Sequence, residues 1–172
     1  MNNDFLKNIV RIILVVLIQV LILKRLNLSI GSFNYIHILF YPILIMILPL
    51  RISKPVLLLI GFVIGLTVDL FYDSLGVHAS ASVFLAYIRP YILNIFEPRG
   101  GFSVNISPTK HSLGIYWFIR YAAAMLLIHL VFYFSMEVFT LVYLKEIILR
   151  TLFSFIFSFA FIMLYKLLFN PK

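Results

Sequence analysis

Between Asn8 and Phe169 the sequence is a succession of apolar runs of near-membrane length, divided by breaks too short to fold on their own. About 20 apolar residues in helical form cross the hydrocarbon core of a bilayer. The runs are Asn8–Leu26, Phe33–Leu50, Pro55–Asp73, Val77–Phe96, Ile115–Met136 and Glu146–Phe169. With 63% of its 172 residues hydrophobic, the chain carries more apolar surface than a soluble domain of this length can bury. The expected architecture is all-α, a single polytopic bundle over residues 1–172 with about six transmembrane helices. The second run is short and carries Pro42 and Pro49. If it is re-entrant, five spans fit equally.

The net charge of +8 is that of a protein oriented by its cytoplasmic Lys and Arg, and nucleic acid is not called for. With six spans and the N-terminus inside, Lys7, Arg11, Arg51, Lys54, Arg89, Arg99, Lys110, Arg120, Lys166 and Lys172 lie inside. Only Lys24, Arg25, Lys145 and Arg150 lie outside. The five-span alternative, with the N-terminus outside, merely exchanges Lys7 and Arg11 for Lys24 and Arg25. The polar segment Glu97–Gly114 is the main loop and is cytoplasmic either way. The absence of cysteine removes disulfides, thiolate metal sites and cysteine nucleophiles.

The most informative stretch is Pro55–Tyr91, two apolar helices joined at Ser74-Leu75-Gly76. Gly61, Gly65, Asp69 and Asp73 recur every four residues and so share one helix face. His78 opens the next helix, followed by Ala79, Ser82 and Ala86 and then Arg89-Pro90. Counted outward from the turn, Asp73 is expected level with His78, Asp69 with Ser82, and Gly65 with Ala86. Small residues facing small residues allow close backbone approach.

A carboxylate inside an apolar helix is a functional hypothesis by default. Asp69 is the deeper of the two, with Ser82 and His129 as expected partners in a hydrogen-bonding role. Arg11, Arg89 and Arg120 fall in the inner third, as snorkelling residues or, for Arg89 and Arg120, as contacts to anionic lipid. Glu146 and Arg150 form an (i, i+4) pair of structural kind. Asp69 and Asp73 share one helix, unlike the paired carboxylates of intramembrane aspartyl proteases. The sequence holds no GxSxG, HExxH or P-loop pattern, so no catalytic residue, metal or cofactor is assigned.

The run Gly65-Leu66-Thr67-Val68-Asp69, then Leu75-Gly76-Val77-His78-Ala79, Ala86-Tyr87 and Arg89-Pro90, resembles the rod shape-determining protein MreD family. An apolar first span holding Gln19 and ending in a short polar break is similar too. The aromatic-rich, proline-containing style looks like the Bacteroidetes branch. The resemblance implies a multi-pass inner-membrane component of the bacterial elongation machinery, without established catalytic activity. It also implies MreC, MreB and RodA with its class B penicillin-binding protein as partners. The implied fold is similar to the substrate-binding components of energy-coupling factor transporters. Asp69 and His78 carry over only as motif positions. The alternative is a small-molecule-binding component of a transporter. Such components dock through small residues on their first helix, and Ile12–Leu23 has no Ala, Gly or Ser.

Overall fold

The computed structural model describes residues 2–26, 28–30, 33–50, 52–74, 76–98, 100–102 and 113–169. Leu75, Arg51, Arg99, Lys110, Lys172 and the middle of the expected main loop lie outside the described residues. Helix α1, Asn2–Leu17, continues through a π-helical stretch, Ile18–Ile22, and a 3-10 turn, Leu23–Arg25. A short antiparallel pair follows, β1 Leu28–Ile30 and β2 Phe33–Ile36. One helical turn, α2 Ile43–Met46, precedes the four long helices α3 Lys54–Tyr72, α4 Val77–Ile95, α5 Ile115–Val138 and α6 Leu144–Phe169.

The molecule is predominantly helical, and α3, α5 and α6 are long and apolar enough to cross a membrane. The run Phe33–Leu50, expected as a helical span, is not one. It is strand to Ile36, irregular to Phe40, and helical only over Ile43–Met46. Proline explains the break. Pro42 and Pro49 each lack an N–H, and each disfavours helix at the residue before it, Tyr41 and Leu48. Hydropathy registers burial, which is the same for both forms: from Ile38 to Ile47 this segment is buried throughout.

Contacts fix the direction of each element. Lys24, at the end of α1, donates to the Phe71 carbonyl and pairs with Asp73 at 3.9 Å, so α1 and α3 point the same way. Tyr41 meets His78 at the start of α4, and Leu48 meets Arg89 near its end. The irregular segment therefore runs with α4 and against α1 and α3. Along α5, Tyr121 meets Met46 and His129 meets Tyr41, so α5 runs against that segment. His37 meets Ser154 early in α6, so α6 returns with it.

The α3–α4 hairpin packs closely, one to two turns out of the expected register. A Cβ on Gly65 would lie 2.5 Å from Ala79 Cα and 2.5 Å from the His78 carbonyl oxygen. One on Gly61 would lie 2.9 Å from the Ser82 carbonyl oxygen and 3.1 Å from Ala86 Cβ. Gly65 thus faces Ala79, not Ala86, and Asp69 faces His78 and Ala79, not Ser82. The turn causes the slip. Asp73 caps α3 in the left-handed region at φ 54°, and Gly76 takes φ 83°. Counting outward treated this turn as flat, whereas it brings the start of α4 down to the level of Asp69.

Candidate functional site

The polar groups buried in the bundle form a column beside the irregular segment. At one end, Asp69 is 4% exposed and caps the neighbouring helix. Its Oδ1 accepts from the His78 N–H at 3.0 Å and from the Ser74 hydroxyl at 2.6 Å. Its Oδ2 accepts from the Ala79 N–H at 2.8 Å. The first N–H groups of a helix have no partner within it and carry the positive end of its dipole, which a carboxylate satisfies on both counts. Neither expected partner, Ser82 or His129, bonds Asp69. The reason is the register: Asp69 has the two free N–H groups of α4 within reach instead. Asp73 differs, with a 92% exposed side chain that pairs with Lys24 at 3.9 Å. Both carboxylates line one open groove with Leu66 and Ser74, but their bonding partners differ.

Next comes Gln19, fully buried on the π-helical stretch of α1. Its amide nitrogen donates to the Ile38 carbonyl at 2.9 Å and to the Tyr72 hydroxyl at 2.7 Å. Its amide oxygen accepts from Phe40 N–H at 2.6 Å and Tyr41 N–H at 3.2 Å. From the opposite side, Ser154 accepts from His37 N–H and Ser158 from Leu39 N–H, each at 2.9 Å. One amide and two hydroxyls thus take the place of a helical ladder where the segment has none.

At the centre the Tyr41 hydroxyl lies 2.9 Å from His129 Nε2 and 3.3 Å from His78 Nδ1. The His78 ring also packs against Tyr72 and Tyr133, with centroids 4.8 and 4.7 Å away. At the far end Arg89 is 1% exposed. Its guanidinium donates to the Leu48 carbonyl and, at 3.5 Å, to that of Pro49, while the Tyr121 hydroxyl donates to the Met46 carbonyl at 3.1 Å. These are the carbonyls at the end of α2 and just beyond it, and a cation suits the negative end of a helix.

The structure thus takes Arg89 out of the expected lipid-contact pair, because its charge is directed inward onto the chain's own backbone. Arg120 remains exposed, its guanidinium 5.4 Å from the Phe96 ring centroid. Pro90 sits within α4, which continues past it to Ile95. Arg150 pairs with Glu146 at 2.7 Å, as the spacing implies, and with Glu137 at 3.2 Å. Lys166, fully buried, lies 4.3 Å from the Phe118 ring centroid.

Sequence reasoning missed Tyr41, Tyr121, Ser154 and Ser158 as members of this column. Ser154 and Ser158 did leave a signal: two hydroxyls one turn apart on one face of an apolar helix. The two tyrosines left none, since a tyrosine in an aromatic-rich chain reads as packing. Among the described residues no group of three or more His, Cys, Asp or Glu is placed to hold a metal ion. Chemically, the column saturates backbone groups at both ends and keeps one imidazole–phenol–imidazole contact in the middle. Compared with known proteins, the chain matches no family model, no curated protein and no solved structure.

Proposed function

We propose that this chain is a non-enzymatic, multi-pass component of the bacterial inner membrane that serves the cell-wall elongation complex in rod-shape maintenance. One observation carries the reading. The motif positions that resemble the MreD family are the parts that hold this bundle together: Gly65 at the closest approach of two helices, Asp69 capping α4 through His78, and Arg89 closing the irregular segment. A motif made of fold-defining contacts suits a scaffold that presents its surface to partners. The proposed partners are MreC, MreB and RodA with its class B penicillin-binding protein.

In this reading the chain crosses the bilayer six times, with both termini inside. The second crossing is the irregular segment Ile36–Pro49. Non-helical backbone at membrane depth is tolerated where protein buries it and meets its polar groups. The alternation of direction among α1, the irregular segment and α3 to α6 supports this order over the five-span one. The bundle is then similar in plan to the substrate-binding components of energy-coupling factor transporters, with one helix replaced.

Affinity purification from native membranes in mild detergent tests the function. Recovery of MreC and the polymerase pair is expected, whereas recovery of an energising ATPase pair would establish the transporter alternative. Topology is tested with single cysteines, since the chain has none. An impermeant maleimide should label Ser74→Cys in spheroplasts and leave Ser107→Cys and Asn3→Cys unlabelled. Labelling of Asn3→Cys would restore the five-span order.

A further inference from the structure

We infer that His78, Tyr41 and His129 form a buried proton relay in which the two imidazoles always hold the same tautomer. All three side chains are fully buried. The single phenol oxygen touches both rings, at Nδ1 of His78 and Nε2 of His129. A neutral imidazole has one N–H and one bare nitrogen, and a phenol has one proton to donate. With the phenol proton kept between the two rings, two arrangements give each contact a proton. In the first, Tyr41 donates to His129 Nε2 and accepts from His78 Nδ1–H, so both rings are protonated on Nδ1. In the second, Tyr41 donates to His78 Nδ1 and accepts from His129 Nε2–H, so both are protonated on Nε2.

The outer atoms of the unit are His78 Nε2 and His129 Nδ1, and both are buried without a hydrogen bond of good geometry. These are the two atoms whose character reverses between the arrangements, one from acceptor to donor and the other from donor to acceptor. Passing from the first arrangement to the second moves His78 Nδ1–H onto Tyr41 and the phenol proton onto His129 Nε2, while His78 Nε2 gains one proton and His129 Nδ1 loses one, water serving as donor and acceptor when local opening admits it. One proton enters, one leaves, and no charge stays behind. The Ala81 backbone lies beside the His129 ring. Ser82 Oγ, also buried and without a good hydrogen bond, lies beside Tyr41. Asp69, Tyr72 and Tyr133 surround the His78 side, with the Asp69 carboxylate committed to backbone N–H groups.

The relay goes beyond the scaffold reading and does not depend on it. Its test is long-range 1H–15N correlation on the full chain in micelles with 15N-labelled histidine, resonances being assigned with His37→Gln and His111→Gln. The expected result is one shared tautomer for His78 and His129, or exchange between the two shared forms. A mixed pair, with both rings donating to Tyr41 and the phenol turned to Ser82, would overturn the relay. So would a ring protonated on both nitrogens. In Tyr41→Phe the rings should decouple, with the tautomer ratio of at least one changing several-fold; unchanged ratios in both would overturn it. If Tyr41→Phe does not fold, His78→Gln read out at His129 replaces it. A changed His129 tautomer ratio is expected, and an unchanged one contradicts the coupling.

Discussion

Along the α3–α4 hairpin, backbone lies against backbone, with glycine on one side and Ala79 or Ser82 on the other. Along Ile36–Pro49 backbone turns pair only some of the peptide groups between Phe40 and Leu48, and side chains of α1, α4, α5 and α6 meet others. The helices of the hairpin satisfy their own peptide groups, so its specificity comes from shape. The irregular segment cannot, so its specificity comes from donors and acceptors placed by four other elements. The comparison teaches why this apolar chain keeps a buried glutamine, arginine and pair of serines. Each answers a peptide group that proline and the strand-to-helix change left open. The hairpin should break when volume is added, and the irregular segment when polarity is removed.

The largest effect is expected in the hairpin. Gly65→Leu has no space without parting α3 from α4, and should destabilise at or above ~3 kcal/mol, the upper part of the range for overpacking. Gly65→Ala should cost more than Gly61→Ala, because its Cβ would sit 2.5 Å from backbone where that of Gly61 meets nothing closer than 2.9 Å. Unfolding in mixed micelles by titrated SDS measures both. Equal stability for the two alanine variants would refute the observed register.

In the irregular segment, Arg89→Met leaves the half-buried Leu48 carbonyl unpaired, at about 1–3 kcal/mol, while the exposed Pro49 loses only a long contact. Arg89→Lys should recover part of this, since a single ammonium can reach one carbonyl but lacks the fork. The same titration reads the order Arg, Lys, Met; a methionine variant as stable as the parent would remove Arg89 from the account.

Asp69 joins the two regions and gives a graded series. From sequence, Asp69→Asn is expected to keep most of the function. With both oxygens bonded to separate N–H groups, the amide satisfies only one and turns its own donor toward the other. Asp69→Asn should therefore lie between the parent and Asp69→Leu, in stability and in complementation of a shape-defective deletion strain. The leucine cost falls short of the two unpaired groups in full, because Asp69 lines an open groove with Leu66, Asp73 and Ser74. If Asn and Leu fail alike, the charge itself matters. The smallest effect is Ser158→Ala, about 0.5–1.5 kcal/mol for one hydrogen bond among the several that hold the segment.

How far the fold was legible follows the same division. The face of Gly61, Gly65 and Asp69 is a periodicity and stands in the sequence. Its partner residues stand there too, but the register does not, because it depends on how Asp73 and Gly76 turn the chain. The helical ends near Lys54, Val77 and Ile115 fall within a residue of their expected starts, marked by Pro55, Gly76 and Gly114. The irregular segment was hidden. Its residues are as apolar as those of a span, and its bonds reach as far as the 121 positions between His37 and Ser158. Gln19 and Arg89 are visible as polar residues in apolar runs, but what they meet is not.

Amide hydrogen exchange, comparing the parent with Gln19→Met in micelles, tests the central claim most directly. Side-chain bonding predicts that Phe40 and Tyr41 are protected in the parent like the helices around them. In Gln19→Met that protection should fall by at least tenfold at these two amides, while Gly61–Val68 of α3 keep theirs. Equal protection of Phe40 and Tyr41 in parent and variant would contradict the account, because the bonds that order the segment would then not come from Gln19.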